Sequence, residues 1–183
     1  LRQLKYVQHF YDNMGRKDPP IITSCRQPPY TLVIFKPDLP RFGLTHLSDD
    51  QTIDLIRKRV YDATACTPKE VNVYLDGQRL PVKTFERYVD LYIGTRGEHK
   101  RINSQVNPDW EIVVCANSER KFEQVSFVNG ICTYRGGKHV EHAASIISKR
   151  LHKYAIDKKK GMGKITEKSI IDNMMIFLRC TLI

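Results

Sequence analysis

Residues 109–154 read DWEIVVCANSERKFEQVSFVNGICTYRGGKHVEHAASIISKRLHKY, and their pattern of apolar residues predicts two strands followed by a long helix. The runs 109–115 and 122–128 are rich in β-branched and aromatic residues, so they predict two strands that a short turn joins as an antiparallel hairpin. Gly136 and Gly137 then interrupt the regular secondary structure, and a helix is predicted after them over 140–157. Its inner face repeats every three to four residues, at Val140, Ala144, Ile147, Leu151 and Tyr154.

Upstream, the sequence predicts further strands. Residues 30–36, YTLVIFK, are apolar and β-branched, and they predict a strand that is covered on both faces and ended by Pro37. A shorter strand is expected at 21–23. The alternating run 71–75 followed by Asp-Gly at 76–77 predicts a β-hairpin, because both central residues of such a turn need a positive φ.

Two more helices and a last strand complete the prediction. Ser48 and Gln51 form a capping box that starts a helix ending near Cys66, with an inner face at Ile53, Ile56, Val60 and Ala63. A short helix is predicted around 85–92, and residues 94–107 are interpreted as a loop. Residues 174–178 predict a buried strand. Irregular alternation of strands and helices indicates an α+β fold, with two layers.

The charge is concentrated near the end of the long helix. The 183 residues carry a formal charge of +10, and residues 149–168 hold eight basic and two acidic residues, a net +6. Such an excess suits an anionic polymer such as nucleic acid, or else a solvated helix end with a charged loop. Lys158, Lys159 and Lys160 have no interleaved aromatic residue, so base stacking is not indicated.

Composition excludes several classes of protein. No run of about 18 apolar residues is present, so no membrane span is predicted, and the first residues do not form a signal peptide. The chain starts at Leu1, so we interpret it as an internal piece of a longer protein. The five cysteines are at least 17 positions apart, which excludes CxxC motifs and favours reduced thiols inside a cell.

No self-contained catalytic or metal site is predicted. The chain lacks a Walker A motif, a nucleophile elbow and an HExxH motif. His139 and His142 could share a helix face, but a zinc site needs a third ligand, so an ordinary helix start is favoured. Gly136 and Gly137 lack the remaining residues of a P-loop, and a tight turn is favoured there over a phosphate cradle.

Residues 126–140, SFVNGICTYRGGKHV, closely resemble the SFVNxIxTxxGGxHV motif of type IIA DNA topoisomerases. Other segments agree in order: 12–16 resembles DNMGR, 30–39 resembles YTxxxFxPDL, 59–62 is similar to RAYD, and 80–83 with 88–92 is similar to LPVK followed by YVDLY. The resemblance covers nearly the whole chain. It favours the eukaryotic type over bacterial gyrase.

The resemblance implies a division into two domains. Residues 1–83 would be the C-terminal part of a two-layer GHKL ATPase domain. Residues 84–183 would be a transducer domain, a ribosomal-protein-like α/β fold with a left-handed βαβ crossover, which stops before the family's QTK loop. The parent enzyme would pass one DNA duplex through another, relaxing and decatenating DNA as an ATP-hydrolysing isomerase. This segment would transmit ATP-driven closure of the N-gate to the DNA-cleaving core.

The resemblance also implies partners and sites. ATP and Mg²⁺ would serve the parent enzyme, a nuclear or alternatively mitochondrial homodimer acting on double-stranded DNA. The family's catalytic tyrosine and main nucleotide motifs match nothing here, so no catalytic residue and no strong cofactor binding are expected. Thr31 matches a position near the adenine pocket. The residues that match the lysine-rich loop facing DNA are Lys158, Lys159, Lys160 and Lys164.

Two positions depart from the family pattern. Met175 stands where the family often has Trp, and Arg179 stands where it has Asn, which leaves the packing of the final strand open. Two other functions also stay open at this point. One is a basic DNA-binding or architectural module without ATP linkage, and the other is a GHKL chaperone or mismatch-repair ATPase, whose relatives lack the 126–140 string.

Overall fold

The computed structural model describes residues 3–47, 50–158 and 165–182, which form two compact units divided between Ile53 and Asp54. In the first unit β1 (Leu4–Val7) pairs antiparallel with β4 (Ile21–Ser24), as the prediction of a strand at 21–23 requires. A smaller ladder joins β2 (Phe10–Tyr11) to β3 (Arg16–Lys17), and a 3₁₀ turn covers Leu39–Phe42.

The predicted strand at 30–36 does not form. These residues are in no strand, and their side chains are exposed, with Ile34 85% accessible. The prediction of a strand covered on both faces is therefore wrong for the described chain. A strand needs a neighbouring strand for its backbone hydrogen bonds, and no described segment pairs with this one.

The second unit is built around one five-stranded sheet. Helix α1 (Asp50–Cys66) leads into it, ending where the sequence predicts, while Ser48 of the predicted capping box lies outside the described residues. The remaining elements are β5 (Tyr74–Leu75), β6 (Gln78–Arg79), α2 (Phe85–Ile93), β7 (Arg101–Asn107), β8 (Trp110–Ala116), β9 (Glu123–Val128), β10 (Ile131–Cys132), α3 (Lys138–Lys158), α4 (Glu167–Asp172) and β11 (Met174–Cys180).

Strand β11 lies in the middle of this sheet, whose order is β10-β9-β11-β8-β7. It pairs antiparallel with β8 and parallel with β9, so β8 and β9 are not neighbours. The predicted hairpin of 109–115 with 122–128 is therefore wrong, although both strands exist. Local sequence showed two strands and a turn, but it could not show that a strand from the chain's last ten residues separates them.

The predicted loop at 94–107 is also wrong in its second half. Residues Arg101–Asn107 form β7, the edge strand beside β8. An edge strand with one solvated face reads as polar sequence, which hides it from hydrophobic periodicity. Ile102, for example, is 73% exposed.

Both faces of the sheet are covered by helices. Alternate residues of β11 separate the two cores, with Phe177 facing α1 and α2 and Ile176 facing α3. The first cluster contains Ala65, Val82, Phe85, Tyr88, Val89, Val113, Cys115, Phe127 and Phe177, and the second contains Ala144, Met174, Ile176, Leu178 and Cys180. The α+β prediction is confirmed, with one more layer in this unit than the sequence suggested.

The long helices bury shorter stripes than predicted. In α3 the side chains of Val140, Ala144 and Ser148 are buried, while Leu151 and Tyr154 are exposed, so the second half of the predicted inner face faces solvent. In α1, Ile56 is exposed. The buried residues of that helix lie in its last turns, at Asp62, Thr64 and Ala65.

The Asp76-Gly77 turn forms as predicted, with φ of 50° and 76°. The strands it joins are two residues each, shorter than the sequence suggested. No helix among the described residues combines the length and apolar character that crossing a membrane requires.

The central position of β11 predicts that truncating one of its buried side chains strongly lowers the free energy of unfolding. Ile176→Ala should lower the free energy of unfolding by about 2–5 kcal/mol, because the side chain is fully buried and its removal leaves a cavity. Ile102→Ala, the same change on the exposed face of β7, should change it by no more than about 0.5 kcal/mol. Urea unfolding measures both values, and equal losses would contradict the assigned register.

Candidate functional site

Only the start of the predicted DNA-binding segment lies in the described part of the chain. Lys158 is the last residue of α3 and is exposed. Lys159, Lys160 and Lys164 lie outside the described residues, so their positions carry no structural account. The direction in which α3 presents Lys158 is set by the start of the helix, where the 126–140 motif lies.

The motif residues form a closed hydrogen-bond network at that start. The buried Ser126 hydroxyl donates to Gln124 Oε1 at 2.6 Å, and the Gln124 amide donates to the carbonyls of Thr133 and Tyr134, both at 3.1 Å. The Thr133 hydroxyl donates to the Ser126 carbonyl at 3.1 Å. The Ser126 and Thr133 hydroxyls also bond to each other, and His139 Nε2 lies within hydrogen-bond distance of both, 3.1 Å from Thr133 Oγ1 and 3.3 Å from Ser126 Oγ.

The glycine pair makes the turn between this network and α3. Gly137 has φ of 149°, a conformation that favours glycine, and a Cβ there would lie only 3.1 Å from the His139 ring, which would have to shift. The Gly136 amide donates to the Thr133 carbonyl at 2.9 Å, and the Val140 amide donates to the Gly137 carbonyl at 3.0 Å. The pair thus acts as the predicted tight turn into the helix.

The histidines of this turn do not form a metal centre with other described residues. His139 is engaged with hydroxyl groups, and His142 is exposed. Among the described residues, no group of three or more His, Cys, Asp or Glu side chains is placed to hold a metal ion.

A buried carboxylate fastens the end of α1 to α2. Asp62 accepts from the Tyr88 hydroxyl at 2.6 Å and from Lys58 Nζ at 2.8 Å, and Arg59 lies 3.7 Å away. Burial raises the pKa of the Tyr88 phenol, and its hydrogen bond to Asp62 raises it further. Lys58 and Arg59 also lie over the Tyr134 ring, 5.3 and 5.0 Å from its centroid. No pattern in the sequence indicates that this acid is buried.

Arg179 makes a second attachment between α1 and the sheet. Its guanidinium pairs with Glu111 on the neighbouring strand at 2.7 and 2.8 Å, and donates to the Ala65 carbonyl near the end of α1 at 3.0 Å. It also lies 5.6 Å from the centroid of Phe85 in α2. The departure from the family's Asn at this position is therefore accommodated by specific partners on β8, α1 and α2.

Arg101 fixes the edge strand in a comparable way. Its buried guanidinium pairs with Asp90 of α2, lies 3.6 Å from Glu86, and donates to the Gly94 carbonyl at 2.9 Å. Its Nε has no hydrogen-bond partner among the residues that the structure describes. The residue lies in the stretch predicted as a loop, and a single basic residue in polar sequence gives no signal of burial.

Met175 lines an open cavity of about 820 Å³ at the end of the sheet. The cavity lies beside the glycine turn, and its other apolar walls include Tyr92, Phe122, Val125, Tyr134 and Val140. Met175 keeps its place in the ladder, paired with Cys115 on one side and Glu123 on the other. The final strand thus forms in register despite the departures at 175 and 179.

Thr31 lies on the exposed, strandless stretch at 30–36. Magnesium nucleotides need oxygen ligands for the cation and converging donors for the phosphates. Among the described residues, no cluster of carboxylates is placed to hold a metal ion. The Thr31 side chain also has no hydrogen-bond partner among them. The described part of the chain therefore does not by itself fit ATP and Mg²⁺.

His139 gives the motif network a pH dependence. Burial lowers the pKa of His139 from its ordinary value of 6.5. The unfolded chain then takes up this proton at higher pH than the folded chain does, so the contribution of His139 to stability is present above pH 6.5 and is lost as the pH falls through the lower folded pKa.

We therefore expect His139→Gln, which keeps an N–H donor, to reduce the loss of unfolding free energy on going from pH 7.5 to pH 5, relative to the unchanged protein. Urea unfolding at a series of pH values measures this loss. His142→Gln, on the exposed face of the same helix, is the matched control, and an equal effect of both variants would contradict the role assigned to His139.

Comparison with known proteins agrees with this architecture. The family model of DNA gyrase B matches residues 74–182. DNA topoisomerase 2 of Arabidopsis thaliana is 39% identical over 184 residues, covering 97% of this chain and 12% of the relative. The ATPase region of Saccharomyces cerevisiae topoisomerase II superposes with a TM-score of 0.81 at 34% identity, covering 97% of this chain and 44% of that one.

A second structure, the ATPase and transducer domains of DNA topoisomerase II from Balamuthia mandrillaris, has a TM-score of 0.81 at 29% identity and covers 98% of this chain and 46% of that one. The chain spans only about an eighth of the length of the full relative from Arabidopsis. Sequence and fold agree over nearly all of the chain, which thus belongs to the type IIA DNA topoisomerase family and is similar to the ATPase region of its eukaryotic members.

Proposed function

We propose that this chain is part of an ATP-dependent type IIA DNA topoisomerase that passes one duplex through another and so relaxes and decatenates DNA. Within it, residues 1–83 would belong to the GHKL ATPase domain and 84–183 to the transducer. The observation that carries the proposal is the agreement in sequence and fold with the ATPase region of topoisomerase II over 97% of the chain.

The segment's role would be to transmit closure of the N-gate to the DNA-cleaving core. Support comes from the two attachments of α1, namely Asp62 to Tyr88 and Arg179 to the Ala65 carbonyl. Both are buried or half-buried and join the end of one proposed domain to elements of the next. A displacement of α1 would therefore move α2 and the sheet with it, as a rigid body.

The second role would be to present a lysine loop to DNA. Lys158 ends the long helix, Lys159, Lys160 and Lys164 come after it in the sequence, and the four have few acidic neighbours there. Ammonium groups that neutralise phosphates release counterions, so such contacts are strongly salt-dependent and independent of base sequence. The whole enzyme would be a nuclear homodimer, or a mitochondrial one, with ATP and Mg²⁺ as cofactors.

The lysine loop is tested by its effect on the salt dependence of binding. Replacing Lys158, Lys159 and Lys160 with Ala should reduce the slope of log K against log salt for a 30-bp duplex by roughly 2–3, at about 0.9 per phosphate contact. Fluorescence anisotropy across a salt series gives the slope. An unchanged slope would remove the loop from the DNA interface.

Nucleotide binding is tested directly on the chain. Because the described residues do not fit ATP and Mg²⁺ and Thr31 is exposed, we expect no saturable heat when MgATP is titrated into the protein at millimolar concentration. Micromolar binding that Thr31→Ala weakens would contradict this expectation. It would show that Thr31 and its neighbours form a nucleotide site on their own.

The sequence that flanks the chain in its gene tests the parent function. A Gly-rich lid upstream and a QTK loop downstream would support a topoisomerase ATPase region. Start and stop codons at the two ends would contradict it and favour a basic DNA-binding module without ATP linkage.

A further inference from the structure

The outer face of α3 carries three cations that no described carboxylate neutralises. Lys149, Arg150 and Lys153 are exposed, and none of them takes part in any of the ion pairs found among the described residues. Asp157, one turn beyond Lys153, is the only acid on this half of the helix and is not within ion-pair distance of them. We call these three residues the helix track.

The basic run of α1 shows what a neutralised cluster looks like in the same fold. Arg57 pairs with Asp54 at 3.2 Å, and Lys58 and Arg59 share Asp62 at 2.8 and 3.7 Å. The two runs have equal positive charge in the sequence. The cations of α1 form ion pairs within the protein, whereas those of the helix track are unpaired among the described residues.

The three cations of the helix track share one side of α3, which is not the side on which Lys158 lies. Positions 149, 150 and 153 lie on one side of α3, opposite the buried positions of Val140, Ala144 and Ser148. At 1.5 Å per residue, positions 149 to 153 span about 6 Å along the helix axis, which is the axial rise of about two phosphates of one DNA strand. Three cations grouped on one side of a helix suit the phosphate backbone of a polyanion.

Two ordinary reasons for basic residues do not account for the track. Cations favour the C-terminal end of a helix because of its dipole, but this effect fades beyond the last turn and so covers Lys158 rather than positions 149 and 150. Packing does not explain the track either, because the buried residues of α3 end at Ser148. The second half of the helix therefore projects a charged face without a structural use among the described residues.

We propose that Lys149, Arg150 and Lys153 bind the phosphate backbone of duplex DNA, as a binding surface on the outer face of α3 in addition to the lysine loop. The inference rests on the proposed function, since it takes its partner from there. It adds a site on a rigid element, with named residues, that is independent of residues 159–164. The contacts are to phosphate, so they strengthen binding to all sequences equally.

The test compares two triple variants of equal charge change. Lys149→Gln, Arg150→Gln and Lys153→Gln together should reduce the salt slope for a 30-bp duplex by roughly 2–3, whatever its sequence. The control replaces Arg57, Arg87 and Lys138 with Gln. These cations are also exposed, but each pairs with a carboxylate within one helical turn, at 3.2, 3.2 and 2.8 Å. The control should leave the slope unchanged, and thermal unfolding confirms that both variants fold.

Each outcome separates this inference from the proposed function. If the helix-track variant matches its control, the inference is overturned, and a loss of slope in the Lys158–Lys160 variant would still support the lysine loop. If the helix-track variant alone loses slope, α3 binds DNA and the loop assignment fails. Tighter binding to phosphatidylserine vesicles than to duplex at equal salt, lost in the helix-track variant, would replace DNA with a membrane surface and overturn the proposal.

Discussion

The insertion of β11 between β8 and β9 is the constraint on which the second unit depends. Alternate residues of this strand fill opposite cores, with Phe177 on the side of α2 and Ile176 and Leu178 on the side of α3. A slip of one residue in its pairing would exchange the two sets and place Arg179 inside the α3 core. The register is therefore fixed by the cost of burying an unpaired guanidinium as well as by apolar burial.

The same insertion determines where α3 goes. Because β9 and β11 are parallel neighbours, the chain must return across the sheet between them, and α3 with α4 makes that crossing. The hydrogen-bond network around Ser126 and His139 then sets the point at which the helix leaves the sheet. The 126–140 motif thus has a structural role, because its hydrogen bonds set the direction in which α3 leaves the sheet.

The sequence predicted the helices and strands better than it predicted which of them lie next to each other. Strands 110–116, 123–128 and 174–180 and all the longer helices were predictable, because their apolar patterns are local. The β8–β9 hairpin was predicted wrongly, because the spacing of apolar residues within a segment does not show which distant segment pairs with it. The strand at 101–107 was missed because it lies at an edge, and the exposed run at 30–36 was predicted as buried because apolar character alone does not show what covers it.

The charged residues show the same limit of sequence-based prediction. The sequence does not distinguish one cation from another, whereas the fold pairs some of them with acidic groups and leaves others unpaired. Arg101, Arg179 and the basic run of α1 are all engaged with carboxylates or carbonyls over short distances, so little of their charge is directed outward. The cations of the helix track are among those left unpaired in the described part of the chain, and they lie on a helix whose backbone is already ordered. Binding through them costs side-chain freedom but no backbone ordering, and preorganised groups keep more of their interaction energy as affinity. The basic character of the whole chain therefore becomes useful for binding only where the fold leaves it unpaired and rigidly held.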